Sequence, residues 1–387
     1  MSILFLVLLE VAVAVRLVTV ENTDVGLYRH YGEAMVGGKV PYRDLAIEYP
    51  PGALPLFAAP ALLTDTPESY RRVFAALMVL AIAGLLACIA RLGADRRLAA
   101  AAGALLLLVL MGSVALTRFD VVPATLTVAA VACFVFGRWR LGAAVLGVAI
   151  AAKLYPVVVL PLVAVDAARR FGRRIAAAVI VISLGVVVLA YAPFVVLSPN
   201  GVRASLEDQL LRPLEIESLG GSLVAAAHTF FGFQLPDQAV YYEFRFHGAD
   251  VIGYVSATIL LAVLLTLWTG FARAPQDTRS LVRYSAAAIA AAIAFGKVLS
   301  PQYLLWLVPL VPLVPRRRAV YATGQLAAGC LLTALVFPRH WEALKYDLGG
   351  AEVAAIIVRD LLVIGVLATL AWPSARDRGE ATLSPPI

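Results

Sequence analysis

The feature that most constrains this chain is a series of apolar runs, many about 20 residues long, that recur from one end to the other. A helix of about 20 apolar residues is long enough to cross a bilayer. Apolar residues make up 61% of the 387 positions and charged residues only 15%, against about 25% in soluble domains. The mean hydropathy is +0.88. The chain is therefore predicted to be an all-α, multi-pass membrane protein.

The predicted spans are of two kinds. The long runs are Ile3–Val20, Val73–Ala90, Leu98–Leu116, Val121–Phe136, Ile175–Val196, Val251–Gly270, Tyr284–Val298, Ala319–Phe337 and Val353–Trp372. The shorter runs, which contain prolines or lie close to them, are Leu141–Ala152, Pro156–Ala168 and Tyr303–Val314. Together they predict about 12 transmembrane helices in one domain over residues 1–387. Ile3–Val20 lacks a basic start and a cleavage site, so we expect a retained first helix. Gly52–Leu63 contains two prolines, and the sequence leaves open whether this segment crosses the membrane or enters it and returns to the same side.

Positive charge is concentrated in the short loops between these runs. The net charge is +7, and the clusters are Arg91-Arg96-Arg97, Arg138-Arg140, Arg169-Arg170-Arg173-Arg174, Arg273-Arg279-Arg283, Arg316-Arg317-Arg318 and Arg376-Arg378. Arginine-rich short loops are typical of the cytoplasmic face, not of nucleic-acid binding. Alternation through the runs places all these clusters, and both termini, on the cytoplasmic side of the plasma membrane. The pair Arg71-Arg72 is the exception to this pattern.

Most of the remaining polar segments are predicted to face outward, chiefly in loops 21–51, 198–250 and 338–350. In the first of these, Asp24, Tyr28 and Tyr31 would share one face of a helix. A carboxylate beside phenols suits a general base that binds a polyol. Asp24 could equally cap a helix, with the tyrosines in the aromatic belt, and spacing alone leaves both interpretations open. Glu48, at the membrane edge, is costly unless it is paired.

Among the cations on the outer side, four at the outer ends of helices or in the long outer loop are candidates for a site, namely Arg118, Lys153, Arg212 and Lys297. Any one of them could be a snorkelling side chain. Four converging cations could instead hold an anion at the membrane surface, because Arg and Lys both bind phosphate. The cysteines and histidines lack metal-binding spacing, so no metal or cofactor is predicted.

Several ordered segments together resemble the GT-C class of integral-membrane glycosyltransferases, and most closely family 87, the polyprenol-phosphate-mannose-dependent mannosyltransferases. The segments are Asp24-Val25-Gly26-Leu27-Tyr28, Gly38-Lys39-Val40-Pro41-Tyr42, Glu48-Tyr49-Pro50-Pro51, Arg118-Phe119-Asp120, Lys153-Leu154-Tyr155-Pro156, Arg212-Pro213-Leu214-Glu215-Ile216-Glu217-Ser218-Leu219 and Lys297-Val298-Leu299-Ser300-Pro301-Gln302-Tyr303. The resemblance implies a GT-C-like bundle with interfacial helices in the first loop. It also implies an extracytoplasmic active face formed by loops 21–51 and 198–250.

The resemblance also implies a reaction. A hexose, with mannose as the expected sugar, is transferred from a polyprenyl-phosphate sugar to a lipid or glycan acceptor, with inversion. Asp24 matches the acidic residue of the family and is the expected general base. The expected phosphate-binding residues are Lys153, Arg212, Lys297 and Arg118. The expected acceptor or sugar contacts are Tyr28, Tyr31, Glu48, Tyr49, Asp120, Gln302 and Tyr303.

Two alternatives remain from the sequence. A transporter or flippase would also have about 12 helices and broken segments. However, we find no internal repeat, and the polar residues are gathered toward one face. A transferase that uses another polyprenyl-phosphate sugar, such as arabinofuranose or glucose, would share every feature above.

Overall fold

A computed structural model of the chain describes residues 24–236, 239–240 and 243–372. The predicted first helix, Ile3–Val20, and the basic pair Arg376-Arg378 lie outside these residues. The α-helices are α1 (Val25–Val36), α2 (Leu54–Leu63), α3 (Pro67–Leu92), α4 (Arg97–Met111), α5 (Val114–Thr117), α6 (Val121–Val135), α7 (Trp139–Ala152), α8 (Leu160–Phe171), α9 (Arg173–Leu197), α10 (Pro199–Leu210), α11 (Leu219–Phe231), α12 (His247–Arg273), α13 (Thr278–Ala294), α14 (Arg316–Val336), α15 (Trp341–Asp347) and α16 (Gly350–Ala371).

The structure confirms a helical, polytopic membrane architecture. Five described helices are long and apolar enough to cross a membrane, namely α3, α9, α12, α14 and α16. Shorter apolar helices, including α6, α7 and α11, accompany them. Short helices are tolerated in a bilayer where neighbouring helices bury them. The predicted number of about 12 crossings is not tested by these lengths and stays a prediction.

Two predicted helices are broken, and the breaks have local causes. The run Leu98–Leu116 ends as α4 at Met111, because Gly112 adopts a positive φ of 57° that continues no helix. The run Tyr303–Val314 is not an α-helix: it forms separate 3₁₀ segments, Pro301–Trp306 and Val311–Leu313. Prolines at 309 and 312 remove backbone donors there and exclude a regular helix.

The long outer loop is more ordered than the sequence indicated. It contains α10, α11 and a three-stranded antiparallel sheet of order β1-β3-β2. The strands are β1 (Leu214–Glu215), β2 (Ala239–Val240) and β3 (Glu243–Phe244). This sheet is the only departure from an all-α fold within the described ranges.

Arginines from several of the described clusters contact helix ends at one end of the bundle. Arg96 donates to the carbonyl of Val314 at 2.7 Å, and Arg169 donates to that of Ala274 at 2.9 Å. Arg318 donates to the carbonyl of Leu370 at 3.2 Å. These contacts join helix ends that are distant in sequence, and they leave the segments carrying the candidate residues at the opposite end.

Candidate functional site

A cavity of about 320 Å³ opens at the end of the bundle away from the arginine clusters. It is bounded by the start of α1, the chain before α2, the segment joining α10 to α11, the 3₁₀ segment at Pro301 and the end of α14. Its lining residues are Asp24, Glu48, Tyr49, Pro50, Arg118, Lys153, Gln209, Arg212, Glu215, Ile216, Glu217, Leu299, Ser300, Pro301, Gln302, Tyr303, Phe337, Trp341 and Lys345. Predicted residues from six separate segments therefore share one wall.

Asp24 lies at the N-terminus of α1, which is helical as predicted. Its side chain makes no capping hydrogen bond to the helix, so the capping interpretation has no support in the geometry. The carboxylate instead forms an ion pair with Arg118. The hydroxyl of Tyr28, one turn along α1, lies 3.4 Å from the same carboxylate. The carboxylate is thus fixed at the cavity wall with its side chain 31% exposed.

Lys153 follows the last turn of α7, where the chain before α2 packs closely. A Cβ atom at Gly52 would lie only 2.5 Å from the Ala151 backbone, so glycine is required for this approach. The ammonium group of Lys153 pairs with Asp120 at 2.6 Å. It also lies 4.9–5.4 Å from the ring centres of Phe119, Tyr303 and Trp306, where aromatic faces stabilise a cation.

Arg212 contacts carboxylates from two segments of the chain. Its guanidinium lies 2.6 Å from Glu48 and 3.4 Å from Glu215. Gln209, at the end of α10, donates to the backbone carbonyl of Glu48. The pairing that Glu48 needs at the membrane edge is therefore supplied by Arg212, and the first outer loop is joined to the segment before β1.

Burial perturbs the charged groups of the wall. It lowers the pKa of the Lys153 ammonium group, and the Asp120 carboxylate opposes that shift. It lowers the pKa of the Arg118 guanidinium to about 10, against the opposing effect of Asp120 and Glu217. It raises the pKa of the Glu215 carboxyl to about 8, although Arg212 acts in the other direction. Strongly perturbed groups in a cleft are typical of functional sites.

Three buried polar atoms at or near the cavity have no hydrogen-bond partner among the described residues. They are Nε of Arg118, Oδ2 of Asp120 and Oε1 of Gln302. Buried polar groups are almost always paired. Unpaired ones beside a cavity are consistent with a polar ligand or water that completes the site.

Four predicted site residues do not line the cavity. Tyr28 and Tyr31 pack below it among Tyr49 and Phe57. Asp120 is fully buried and accepts hydrogen bonds from Lys153 and from the indole of Trp306, at 2.6 and 2.8 Å. Lys297 donates to the carbonyl of Leu210 at 2.9 Å. The other predicted site residues lie in the cavity wall with Asp24, namely Arg118, Lys153, Arg212, Glu48, Tyr49, Gln302 and Tyr303.

The prediction omitted several wall residues, and one pattern could have found two of them. Glu215 and Glu217 are carboxylates two positions apart in the segment 212–219, which already carried the family resemblance. Lys345 shares the third outer loop with Arg339, so no pattern singles it out. Gln209, Phe337 and Trp341 carry no comparable signal, because they reach the cavity only through tertiary packing. No group of three or more potential metal-binding side chains occurs among the described residues.

Comparison with solved structures identifies the fold. The chain is similar to ArnT from Cupriavidus metallidurans bound to undecaprenyl phosphate, with 18% identity, coverage of 95% of this chain and 76% of that one, and a TM-score of 0.51. The apo state of ArnT gives the same identity and coverage with a TM-score of 0.42. A search of curated proteins finds no match. The fold is thus that of the GT-C class of membrane glycosyltransferases.

The family follows from the sequence model of glycosyltransferase family 87, which matches residues 47–301. That range is most of the chain and includes Glu48, Lys153, Arg212 and the segment that leads to Gln302. The protein belongs to glycosyltransferase family 87.

Proposed function

We propose that the protein transfers a hexose, with mannose as the first candidate, from a polyprenyl-phosphate sugar to a hydroxyl group of a lipid or glycan acceptor. One observation carries this proposal: a single cavity holds a fixed carboxylate, Asp24, together with the cations Arg118, Lys153 and Arg212. Family membership supports the reaction class. The polyprenyl-phosphate part of the proposal draws support from ArnT, whose structure contains undecaprenyl phosphate.

In the proposed reaction, the acceptor oxygen attacks C1 of the sugar while the bond from C1 to the phosphate oxygen breaks. Asp24 accepts the proton of the acceptor hydroxyl as general base. A single displacement of this kind inverts the configuration at C1. The polyprenyl phosphate leaves with the bonding electron pair, so negative charge grows on its oxygens.

The cations are proposed to hold that phosphate and to stabilise its growing charge. Lys153 and Arg212 reach the cavity from different segments, and Arg118 has an unpaired Nε beside Asp24. Arg118 would thereby adjoin both the base and the leaving group. Lys297 lies outside the wall, so its proposed part in phosphate binding rests on the sequence alone. Fixed cations can balance the charge of a phosphate without a metal ion.

The remaining wall residues are proposed to bind sugar and acceptor hydroxyls. Glu48, Tyr49, Gln302 and Tyr303 line the cavity with both polar and aromatic surface, which suits a pyranose ring. Tyr28, Tyr31 and Asp120 would support these contacts from behind the wall. The cavity is proposed to face the extracytoplasmic side, because the arginine clusters occupy the other end.

The test is turnover in membranes that contain the full chain. Radiolabelled polyprenyl-phosphate mannose is supplied with candidate lipid and glycan acceptors, and transferred label is counted against membranes carrying Asp24→Asn. We expect label in the acceptor fraction only with the unsubstituted protein. Transfer from a polyprenyl-phosphate arabinofuranose or glucose donor alone would keep the reaction class and replace the sugar. Label carried across the membrane without a new glycosidic bond would indicate a transporter or flippase.

A further inference from the structure

The cavity presents an electrostatic conflict if a phosphate is to bind there. Its wall carries four carboxyl groups, those of Asp24, Glu48, Glu215 and Glu217. Asp24 is paired with Arg118. Glu48 and Glu215 both face Arg212, at 2.6 and 3.4 Å. A phosphate that binds Arg212 must therefore approach two carboxyl groups that already compete for one guanidinium.

Glu217 does not compete for Arg212, because a different cation contacts it from behind the wall. Arg359 of α16 donates to a carboxylate oxygen of Glu217 at 2.6 Å and to its backbone carbonyl at 2.5 Å. The same guanidinium pairs with Asp360 at 2.9 Å. Glu217 is thus held by a buried guanidinium that it shares with Asp360.

Glu215 has no cation as close as that, because Arg212 lies 3.4 Å from it and 2.6 Å from Glu48. It is 5% exposed, and its backbone pairs with Glu243 of β3. The titratable groups that act on or face its carboxyl are Arg212, Glu48, Glu217, Glu243 and Tyr303. Three of them are carboxylates, and the one cation sits closer to Glu48. Burial among like charges favours the neutral form of a carboxyl group.

We propose that Glu215 binds the donor phosphate as a neutral carboxylic acid, donating a hydrogen bond to a phosphate oxygen beside Arg212. This inference rests on the proposed function, since it assumes a phosphate in the cavity. A neutral acid offers an O–H donor where an ionised one would offer only repulsion. Binding of the lipid-linked sugar is then linked to one proton on Glu215.

The pKa of Glu215, raised to about 8 by burial, sets the direction of the pH dependence. The carboxyl is protonated below that value and ionised above it. If only the protonated form binds, affinity falls about 30-fold between about pH 7 and pH 9.5. Lys153 also has a lowered pKa and weakens binding at high pH. That contribution is independent of Glu215 and persists when Glu215 is replaced.

The first experiment measures binding of a short-chain polyprenyl phosphomannose to the purified full chain in detergent, without acceptor. Its phosphodiester keeps a single charge over this pH range. Glu215→Gln retains an N–H donor without an ionisable group, so we expect near-normal affinity at pH 7. At pH 9.5 its loss of affinity should be smaller than that of the unsubstituted protein by the factor of about 30 that Glu215 contributes. The matched control is Glu207→Gln, an exposed glutamate of α10 paired with Arg203, which should keep the full pH dependence.

Each result is decisive. Parallel loss of affinity in Glu215→Gln and the unsubstituted protein would overturn the inference, and so would pH-independent binding by both. Absence of binding at every pH would overturn the proposed donor, and the inference with it.

A second measurement needs no ligand: infrared difference spectra of the unsubstituted protein between pH 7 and pH 9.5. They should show loss of the carbonyl band of a protonated carboxyl, which Glu215→Gln should lack. Absence of that band in the unsubstituted protein would show that Glu215 is already ionised at pH 7.

Discussion

Arg359, within helix α16, donates hydrogen bonds to both the side chain and the backbone carbonyl of Glu217, 142 residues earlier in the chain. Its guanidinium is 1% exposed and also pairs with Asp360, which accepts a hydrogen bond from Ser222. The cavity wall is therefore attached to the last described helix by a buried charged network. Removal of one member of such a network strongly destabilises the folded protein.

The first prediction concerns this network. Arg359→Met should reduce the free energy of unfolding by about 3–5 kcal/mol, because it leaves Glu217 and Asp360 as uncompensated buried charges. The measurement is a denaturant titration of the purified protein in detergent. The triple variant with Glu217→Gln and Asp360→Asn removes those charges and should recover more than half of the loss. Equal stability of Arg359→Met and the unsubstituted protein would show that the network contributes little.

The second prediction concerns the general base. Asp24→Asn keeps the size of the side chain but cannot accept a proton, so transfer should fall about 100- to 10,000-fold. Asn cannot cap less well than Asp here, because Asp24 makes no capping bond, but the ion pair with the buried Arg118 is lost, so a modest loss of thermal stability is expected. Initial rates of transfer and thermal unfolding are measured in parallel. The control is Asp44→Asn, an exposed carboxylate of the same loop paired with Arg43. Near-normal transfer by Asp24→Asn would remove Asp24 as the base and make Glu48 the next candidate.

The third prediction separates the cations by position. Lys153→Gln and Arg212→Gln should each weaken binding of the lipid-linked donor by about 10- to 150-fold, the equivalent of about 1.5–3 kcal/mol for a charge-assisted hydrogen bond. Lys297→Gln removes the same charge from a residue outside the cavity wall, and we expect a smaller effect. Donor affinity is measured with the proteins matched for thermal stability. Equal losses in all three variants would place Lys297 at the phosphate.

The fourth prediction concerns topology. In a protein from which Cys88, Cys133 and Cys330 have been removed, single cysteines at exposed positions of the cavity end, Leu27 and Tyr346, should react with an impermeant maleimide from outside the cell. A cysteine at Phe171, exposed at the arginine-cluster end, should react only after permeabilisation. Labelling of both ends from the same side would overturn the assignment of the cavity to the extracytoplasmic face.

The architecture and the composition of the site differ in how far they could be predicted from the sequence. Hydropathy located α9 to within two residues of its ends and α3 to within six, because a bilayer imposes a minimum apolar length. The family resemblance implied a helix in the first outer loop, and α1 is that helix. The spacing of Asp24, Tyr28 and Tyr31 placed the three residues on one face of it. It could not show that the tyrosines pack beneath the wall, because one helical face can meet either a cavity or other aromatic rings.

Pairings between distant segments could not be predicted from the sequence. Arg118 pairs with Asp24, 94 residues earlier in the chain, and no local pattern indicates this pair. Asp120 receives Lys153. Such pairings depend on how helix ends approach one another, which local patterns do not encode. The absence of an α-helix between residues 301 and 313 could have been predicted, because prolines recur there at 301, 309 and 312 and exclude a regular helix.

The stacking of Trp306 has an optical consequence. Its indole lies 4.0 Å from the ring centres of both Tyr155 and Tyr303, and its N–H donates to the carboxylate that Lys153 contacts. Any anion that draws Lys153 away from Asp120 changes the electric field along the indole. Trp306 emission, isolated by subtracting the spectrum of Trp306→Phe, is thus a built-in fluorescent reporter of what occupies the cavity. It requires neither a label nor a known acceptor.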